Sequence, residues 1–435
     1  MSAPGGRLSR WVYNGLAVPA SRVALGGLAR VRPRLAREMA ARKGVEARWE
    51  AAAARTAGRG PRIWVHAASA GETLQARPLV EAIRGEQPEA AIFASYFSTS
   101  AERVHAGWPV PDAADYLPFD FPRSVRRVVE AIDPGALVLV SGELWPNLVW
   151  TAAERGTLLA QVCCRVAGGS RRLRPPLRAL TRLLYREFRA IAVVAPEDAD
   201  RLREAGIPSK IVGVTGDTRI DATLARLDAA RAEPPPWRPA PDVGPVVVAG
   251  STWPADEAVL LEAVARLRRE HPRLIAVIAP HEPTPDAIER LIRKARAHGL
   301  QAGLITDEAP SGEGPAVLIV DRIGILYRLY GVADLAYVGG GFGGAVHNTL
   351  EPAAHAVPVV TGSDHGNPHE VQAMRASGGL ANVRSTPELM TLWRAWLSDP
   401  ESRRRSGTAA RQFLEDHAGA TRRTLDFLRA RGLPV

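Results

Sequence analysis

What most limits the fold of this chain is an alternation of short β-branched runs with longer amphipathic stretches, which stops once and then starts again. Ile63 to Ala67, Ala91 to Tyr96, Ala136 to Val140, Leu158 to Cys163 and Ala190 to Val194 read as buried strands, with helical patterns such as Glu72 to Arg84 and Ser124 to Ile132 between them. Continuous apolar strands separated by helices mark a parallel sheet covered on both faces. Residues 229–242, AARAEPPPWRPAPD, hold five prolines, which lack the N–H a helix needs and break the pattern. It resumes with Val246 to Ala249, Leu274 to Ala279, Ala316 to Val320, Leu335 to Val338 and Val357 to Val360. The expectation is an α/β chain with two Rossmann-like domains facing a cleft, 61–228 and 243–435. Residues 229–242 form the linker, and a helix from about Glu401 to Arg431 closes the second domain. Ligands of such sheets gather at the carboxyl ends of the strands, so chemistry is to be sought just after them.

Charge is distributed unevenly. The 435 residues carry 56 Lys or Arg against 46 Asp or Glu, a net charge of +10, yet residues 1–60 alone hold 12 basic and 3 acidic side chains. A basic block points to a polyanion, either nucleic acid or an anionic membrane surface. Trp11, Val12, Leu16, Val18, Val23, Leu25, Leu28 and Val31 alternate with its arginines, which favours the membrane over nucleic acid. No stretch approaches the ~18 apolar residues of a spanning helix. Residues 1–60 are therefore expected to form a helical segment that lies on a bilayer, with a basic solvated tail or an Arg-rich leader as the plainer alternative. Cys163 and Cys164 are adjacent and are the only cysteines, so they offer neither a disulfide framework nor metal-ligand spacing and fit a reducing compartment.

Three segments after strands carry candidate chemistry. Ser69, Ala70, Gly71 and Glu72 follow the first run; S-x-x-E is a capping box, and Glu72 is also a candidate general base. Ser141 to Asn147, SGELWPN, follows the third run and supplies a second carboxylate, Glu143, although Trp145 could be core and Asn147 a helix cap. Two acids meeting in one cleft would suit acid–base work on a sugar hydroxyl. Gly339 to Gly344, GGGFGG, follows a strand and precedes His347 to Glu351, so bare amides there are expected to hold a phosphate. Gly339, Gly341 and Gly344 also satisfy G-x-G-x-x-G, with Asp364 20 residues beyond the last glycine, which keeps a dinucleotide turn as the competing reading. A glycine turn that binds nothing is a third. His281 and His347 have no partners at metal-ligand spacing, so no metal is expected. No P-loop lysine and no G-x-S-x-G elbow is present.

Taken in order, WVHAASAGE (Trp64 to Glu72), SGELWPN (Ser141 to Asn147), VTGDTRID (Val214 to Asp221), GILYRLYGVADLAYVGGG (Gly324 to Gly341) and HNTLEPAAHAVPVV (His347 to Val360) resemble the 3-deoxy-D-manno-octulosonic acid (Kdo) transferases of lipopolysaccharide synthesis. The resemblance covers essentially the whole chain. It implies a GT-B glycosyltransferase at the cytoplasmic face of the inner membrane, with the donor CMP-Kdo held mainly by the second domain. The acceptor, a lipid A precursor (lipid IVA), approaches the first, and no metal cofactor is needed. Residue by residue, Glu72 matches the family's base, and Glu143 and Arg219 match positions that stabilise the transition state. Pro280, His281, Ile323, Gly324, Ile325, Asn348, Thr349, Leu350 and Glu351 match the stretches that hold CMP. The sequence departs from the pattern at Arg219, where lysine is usual, at His281, where arginine commonly follows the proline, at Ile325, within a usual Gly-Glu-Leu, and at Trp253, where Ser-Thr-His is common. Beside this reading stand a nicotinamide-dependent oxidoreductase using Gly339, Gly341 and Gly344, and a lipid-binding protein without catalysis.

Overall fold

The apolar runs become two parallel sheets in the computed structural model, which describes residues 4–231, 233–240, 243–305, 315–365 and 369–435. The chain divides into two units, Met1–Ala222 with Gly419–Val435, and Thr223–Ala418.

In the first unit the strands are β1 (Arg62–His66), β2 (Ala91–Tyr96), β3 (Ala113–Tyr116), β4 (Ala136–Val140), β5 (Leu158–Cys164), β6 (Phe188–Val193) and β7 (Val212–Val214), in the order β3-β2-β1-β4-β5-β6-β7. All neighbours are parallel. Side chains alternate across the sheet as the strand period requires. Trp64, Phe93, Leu137 and Leu139 pack on one face, and Ile63, Val65, Ala136 and Val138 on the other. Strand order reverses at β1, so the carboxyl ends of β1 and β4 flank the point where such sheets open a crevice.

The boundary expected at residue 60 is displaced. Helices span Pro4–Val12, Val18–Ala29, Pro33–Ala41 and Val45–Arg55, with a π-turn over Tyr13–Ala17. The last of them is core: Trp49 is buried against Trp64 and Phe93, and its indole N–H donates to the Tyr116 carbonyl at 3.0 Å. Arg42 is buried as well. It donates to the carbonyls of Leu117, Glu38 and Phe97 and lies over the rings of Phe97, Tyr116 and Phe119. Arginine reads as surface charge in a sequence, yet its planar fork can satisfy several carbonyls at once and stack on rings, which makes burial possible. Among the described residues no helix is long and apolar enough to cross a membrane.

The second sheet comprises β8 (Val246–Thr252), β9 (Ile275–Pro280), β10 (Ala302–Leu304), β11 (Val317–Ile319), β12 (Leu335–Val338), β14 (Val359–Gly362) and β16 (Leu380–Val383), in the order β10-β11-β9-β8-β12-β14-β16. A short pair, β13 (Phe342–Gly344) and β15 (Asp364–His365), stands apart from it. Here order reverses at β8, and the carboxyl ends of β8 and β12 flank the switch point.

Two further expectations are corrected. The stretch read as one closing helix is two, Pro400–His417 and Ala420–Arg429, broken at Gly419 with φ +81°. The second of them belongs to the first unit, where Leu425, Leu428, Leu433 and Val435 pack with Ile63, Val65 and Val80. Asp221 caps it, accepting from the Gly419 and Thr421 N–H groups at 2.7 and 2.6 Å. The Pro-rich stretch, moreover, is not a bare tether. The helix Thr218–Arg231 runs into it, and Trp237 is buried with Val246, Val248 and Leu318 in the second unit, because an indole surrounded by prolines still gains from leaving water.

Candidate functional site

Glu72 lies in the first turn of the helix Ala70–Glu86, which begins directly beyond β1. The capping box is formed: the Ser69 N–H donates to Glu72 Oε2 at 2.9 Å, and the Glu72 N–H donates to Ser69 Oγ at 3.4 Å. Capping does not exhaust the carboxylate. Burial, reinforced by the neighbouring charge of Glu143, lifts Glu72 to about 7 against the opposing bonds from Ser69. An acid–base group is most useful when its pKa lies near the working pH, so the side chain that caps the helix also meets that requirement.

Glu143 stands on the turn after β4, so the two acids flank the switch point of the first sheet. Burial raises its carboxyl too. Ser141 holds φ +64°, unusual without glycine, and strain of this kind is retained where surrounding contacts fix the backbone. One such contact is Arg172, whose guanidinium donates to the Gly142 carbonyl and, at 2.8 Å, to that of Arg165. Asn147 is not the cap its position suggested. The N–H groups of Asn147 and Leu148 donate to the buried carboxylate of Asp120 at 3.0 and 3.1 Å, while the Asn147 amide donates to Asn14 Oδ1 and the Asp120 carbonyl.

Arg219 is tied to the helix of Glu72 through an intermediary that sequence reasoning passed over. Its Nε and Nη2 donate to Asp217 Oδ2 at 2.9 and 2.6 Å. Asp217 Oδ1 accepts from Gln75 Nε2 at 3.1 Å, and the Thr218 hydroxyl donates to the Gln75 carbonyl at 2.6 Å. Burial works against ionisation of Asp217, but Arg219 outweighs it and the carboxyl stays below its usual range. Lysine, with a single nitrogen, could not make the paired contact from both Nε and Nη2.

In the second unit two amides of the glycine turn already have partners within the protein. The Gly339 N–H donates to the Gly250 carbonyl and the Gly340 N–H to Asp256 Oδ2, both at 2.9 Å. Asp256 is buried and also accepts from the Trp253 N–H and the Tyr337 hydroxyl at 2.9 Å, which places a carboxylate where a phosphate was expected. The glycines serve close packing instead: a Cβ on Gly339 would lie 2.3 Å from the Ser251 carbonyl oxygen, and one on Gly341 2.5 Å from the Gly362 backbone. The turn leads into a strand, Phe342–Gly344, and the next helix, Leu350–Ala354, is five residues long, so the strand–turn–helix of a dinucleotide site is not formed.

The remaining candidates divide by exposure. Pro280 ends β9 and His281 follows it at the surface. Ile323 is exposed and Gly324 has φ +98°, but the side chains of Ile325, Thr349 and Leu350 are buried, leaving only backbone to meet a ligand. Asn348 Oδ1 accepts from the Leu350 N–H at 3.2 Å, and Glu351 accepts from Arg226 at 3.1 Å. Trp253, His281 and His347, separated in sequence, come together: the Trp253 Nε1–H donates to His347 Nε2 at 2.8 Å, and His281 stacks on both rings. Among the described residues no three His, Cys, Asp or Glu side chains are grouped as metal ligands would be.

The profile of a family described as 3-Deoxy-D-manno-octulosonic-acid transferase (kdotransferase) matches residues 37–222. A 3-deoxy-D-manno-octulosonic acid transferase of Bordetella pertussis is 32% identical over 394 residues, 84% of this chain and 86% of the relative. That of Haemophilus influenzae is 29% identical over 379 residues, again 84% of this chain and 86% of the relative. Among solved structures, UDP-GlcNAc 2-epimerase from Neisseria meningitidis, bound to UDP-GlcNAc, superimposes with a TM-score of 0.61 at 14% identity, covering 85% of this chain and 99% of that one. At that identity the likeness is one of fold alone.

Proposed function

Because the chain belongs to the 3-deoxy-D-manno-octulosonic acid (Kdo) transferase family, we propose that it is an inverting glycosyltransferase moving Kdo from CMP-Kdo to a lipid A precursor, lipid IVA. The observation that carries the mechanism is the Glu72 carboxyl, held beyond β1 with its pKa raised to about 7. Glu72 takes the proton of an acceptor hydroxyl as that oxygen bonds to the anomeric carbon, and the bond from that carbon to the CMP phosphate oxygen breaks on the opposite side. CMP leaves with the electron pair, and Glu72 then releases its proton to water. Arg219, held by Asp217, supplies positive charge to the developing anion, and Glu143 favours the positive character of the reacting sugar carbon. Pro280, His281, Ile323 to Ile325 and Asn348 to Glu351 hold the donor, with Ile325, Thr349 and Leu350 contributing backbone groups.

Docking to the cytoplasmic face of the inner membrane belongs to the same reading. Leu8, Trp11, Leu16 and Val23 on the N-terminal helices, and Val31 on the turn after Val18–Ala29, are exposed among arginines, a composition suited to an anionic lipid surface. The test of the reaction is transfer with CMP-Kdo and lipid IVA, followed by mass spectrometry of the product, for wild type and Glu72→Ala. Loss of transfer with an unchanged circular dichroism spectrum is expected. Normal turnover by the variant overturns the mechanism.

A further inference from the structure

The rings of Trp253 and His347 lie nearly in one plane. Their interplanar angle is 15°, their centroids are 6.2 Å apart, and the Trp253 Nε1–H meets His347 Nε2 edge to edge at 2.8 Å. His281 covers this pair, with its centroid 4.7 Å from Trp253 and 4.3 Å from His347 at 25° and 19°. Each ring comes from a different strand end, Trp253 after β8, His281 after β9 and His347 beyond β12, so the plate spans the switch point of the second sheet. Its supports are rigid. Trp253 and Gly340 both donate backbone N–H groups to the buried Asp256, and the His347 N–H donates to the Gly339 carbonyl at 3.1 Å.

An indole N–H only donates, so the nitrogen facing it must carry a lone pair, and a neutral imidazole that accepts at Nε2 has its proton on Nδ1. We infer that Trp253 is a positioning residue of the donor site: it fixes His347, the neighbour of Asn348, as the neutral Nδ1–H ring facing the nucleotide. The inference rests on the reading of this unit as the CMP-Kdo donor domain. Burial together with the nearby His281 lowers His347 to about 4, in keeping with a ring that stays uncharged. A donor fixed before the ligand arrives has no tautomer or rotamer left to order on binding, so its loss weakens binding of the nucleotide more than it slows turnover. In this arrangement two of the departures from the family pattern, at Trp253 and His281, belong to one unit and support each other.

The test uses the full chain carrying Trp253→Phe, which keeps an aromatic ring over His281 and removes the N–H. Nitrogen-15 NMR of the His347 ring, assigned by comparison with His347→Gln, should show Nδ1–H alone in the wild type and a mixture of both tautomers in the variant. Calorimetry should show CMP bound about three- to tenfold more weakly, the scale of one net hydrogen bond, with the loss in the transfer assay falling on KM for CMP-Kdo rather than on kcat. Trp253→His, which restores an N–H donor, should recover part of the affinity. A His347 ring that stays wholly Nδ1–H in Trp253→Phe, or CMP affinity within twofold of a wild type that binds CMP, overturns the inference. A wild type that binds no CMP overturns the donor-domain reading instead, and the NMR result still decides whether Trp253 sets the tautomer.

Discussion

Replacing Glu72 by Gln should abolish transfer and, at alkaline pH, make the first unit more stable. Burial beside Glu143 moves the Glu72 carboxyl from an ordinary 4.5 to about 7, so the folded protein keeps a proton that the unfolded chain has released. Between those two values the native state binds more protons than the unfolded state, and stability falls as pH rises through the window. At ~1.4 kcal/mol per pK unit, the penalty above pH 7 is at most about 3.5 kcal/mol. The glutamine of this variant would still accept from the Ser69 N–H and carries no charge, so the capping bond survives and the penalty disappears. For a unit of this size that corresponds to a rise in Tm of up to roughly 7–14 °C at pH 8, shrinking to nothing at pH 4. Scanning calorimetry of both proteins from pH 4 to 8.5 reads this directly. The wild-type rate should climb about tenfold per pH unit toward a plateau above 7, and Glu72→Gln should lie roughly 100- to 10,000-fold below that plateau. Melting temperatures that run in parallel at every pH, with a wild-type rate showing no break near 7, would refute the reasoning.

Glu143→Gln removes the like charge beside Glu72, so the break in the wild-type pH–rate profile should move to lower pH; an unmoved break would deny the coupling. Trp11→Glu combined with Leu16→Glu places two anions on the exposed face of the N-terminal helices. Sedimentation with vesicles of anionic lipid should fall several-fold, and undiminished sedimentation would return the segment to the status of a solvated tail. Gly341→Ala puts a methyl 2.5 Å from the Gly362 backbone, where neither backbone can yield cheaply, and should destabilise the second unit by about 1–3 kcal/mol, the range for overpacking. A variant as stable as wild type in urea would contradict the close-packing role given to that glycine.

The candidate site of the first unit was legible because strand ends were. Val65 and Val140 stand in unmistakable apolar runs, the residues after them are Ser69 to Glu72 and Ser141 to Glu143, and the parallel order places both turns on one edge. The illegible parts depended on partners distant in sequence. Short or polar edge strands such as Ala113–Tyr116 and Val212–Val214 bury too little to register as apolar runs. Periodicity marks Ala420–Arg429 as amphipathic without saying which sheet receives Leu425 and Leu428. The glycines of GGGFGG signalled bare amides, but nothing in the segment revealed that Asp256, far upstream in the sequence, occupies one of them. Trp253 and His281 read as two separate departures, and His347 as part of a matching motif, until β8, β9 and β12 brought the three rings together.

The return of residues 419–435 to the first unit also affects how the protein comes into being. A ribosome makes the seven strands of that unit early, yet the helix bearing Leu425 and Leu428 emerges only after the ~200 residues of the second unit, roughly 10–40 s later at about 5–20 residues per second. During that interval the sheet face carrying Ile63 and Val65, and Val80 of the helix Ala70–Glu86 packed on it, lack part of their cover, while the N-terminal helices have already left the ribosome. The first unit to begin is thus the last to be finished, and its core is sealed by chain made after the second unit.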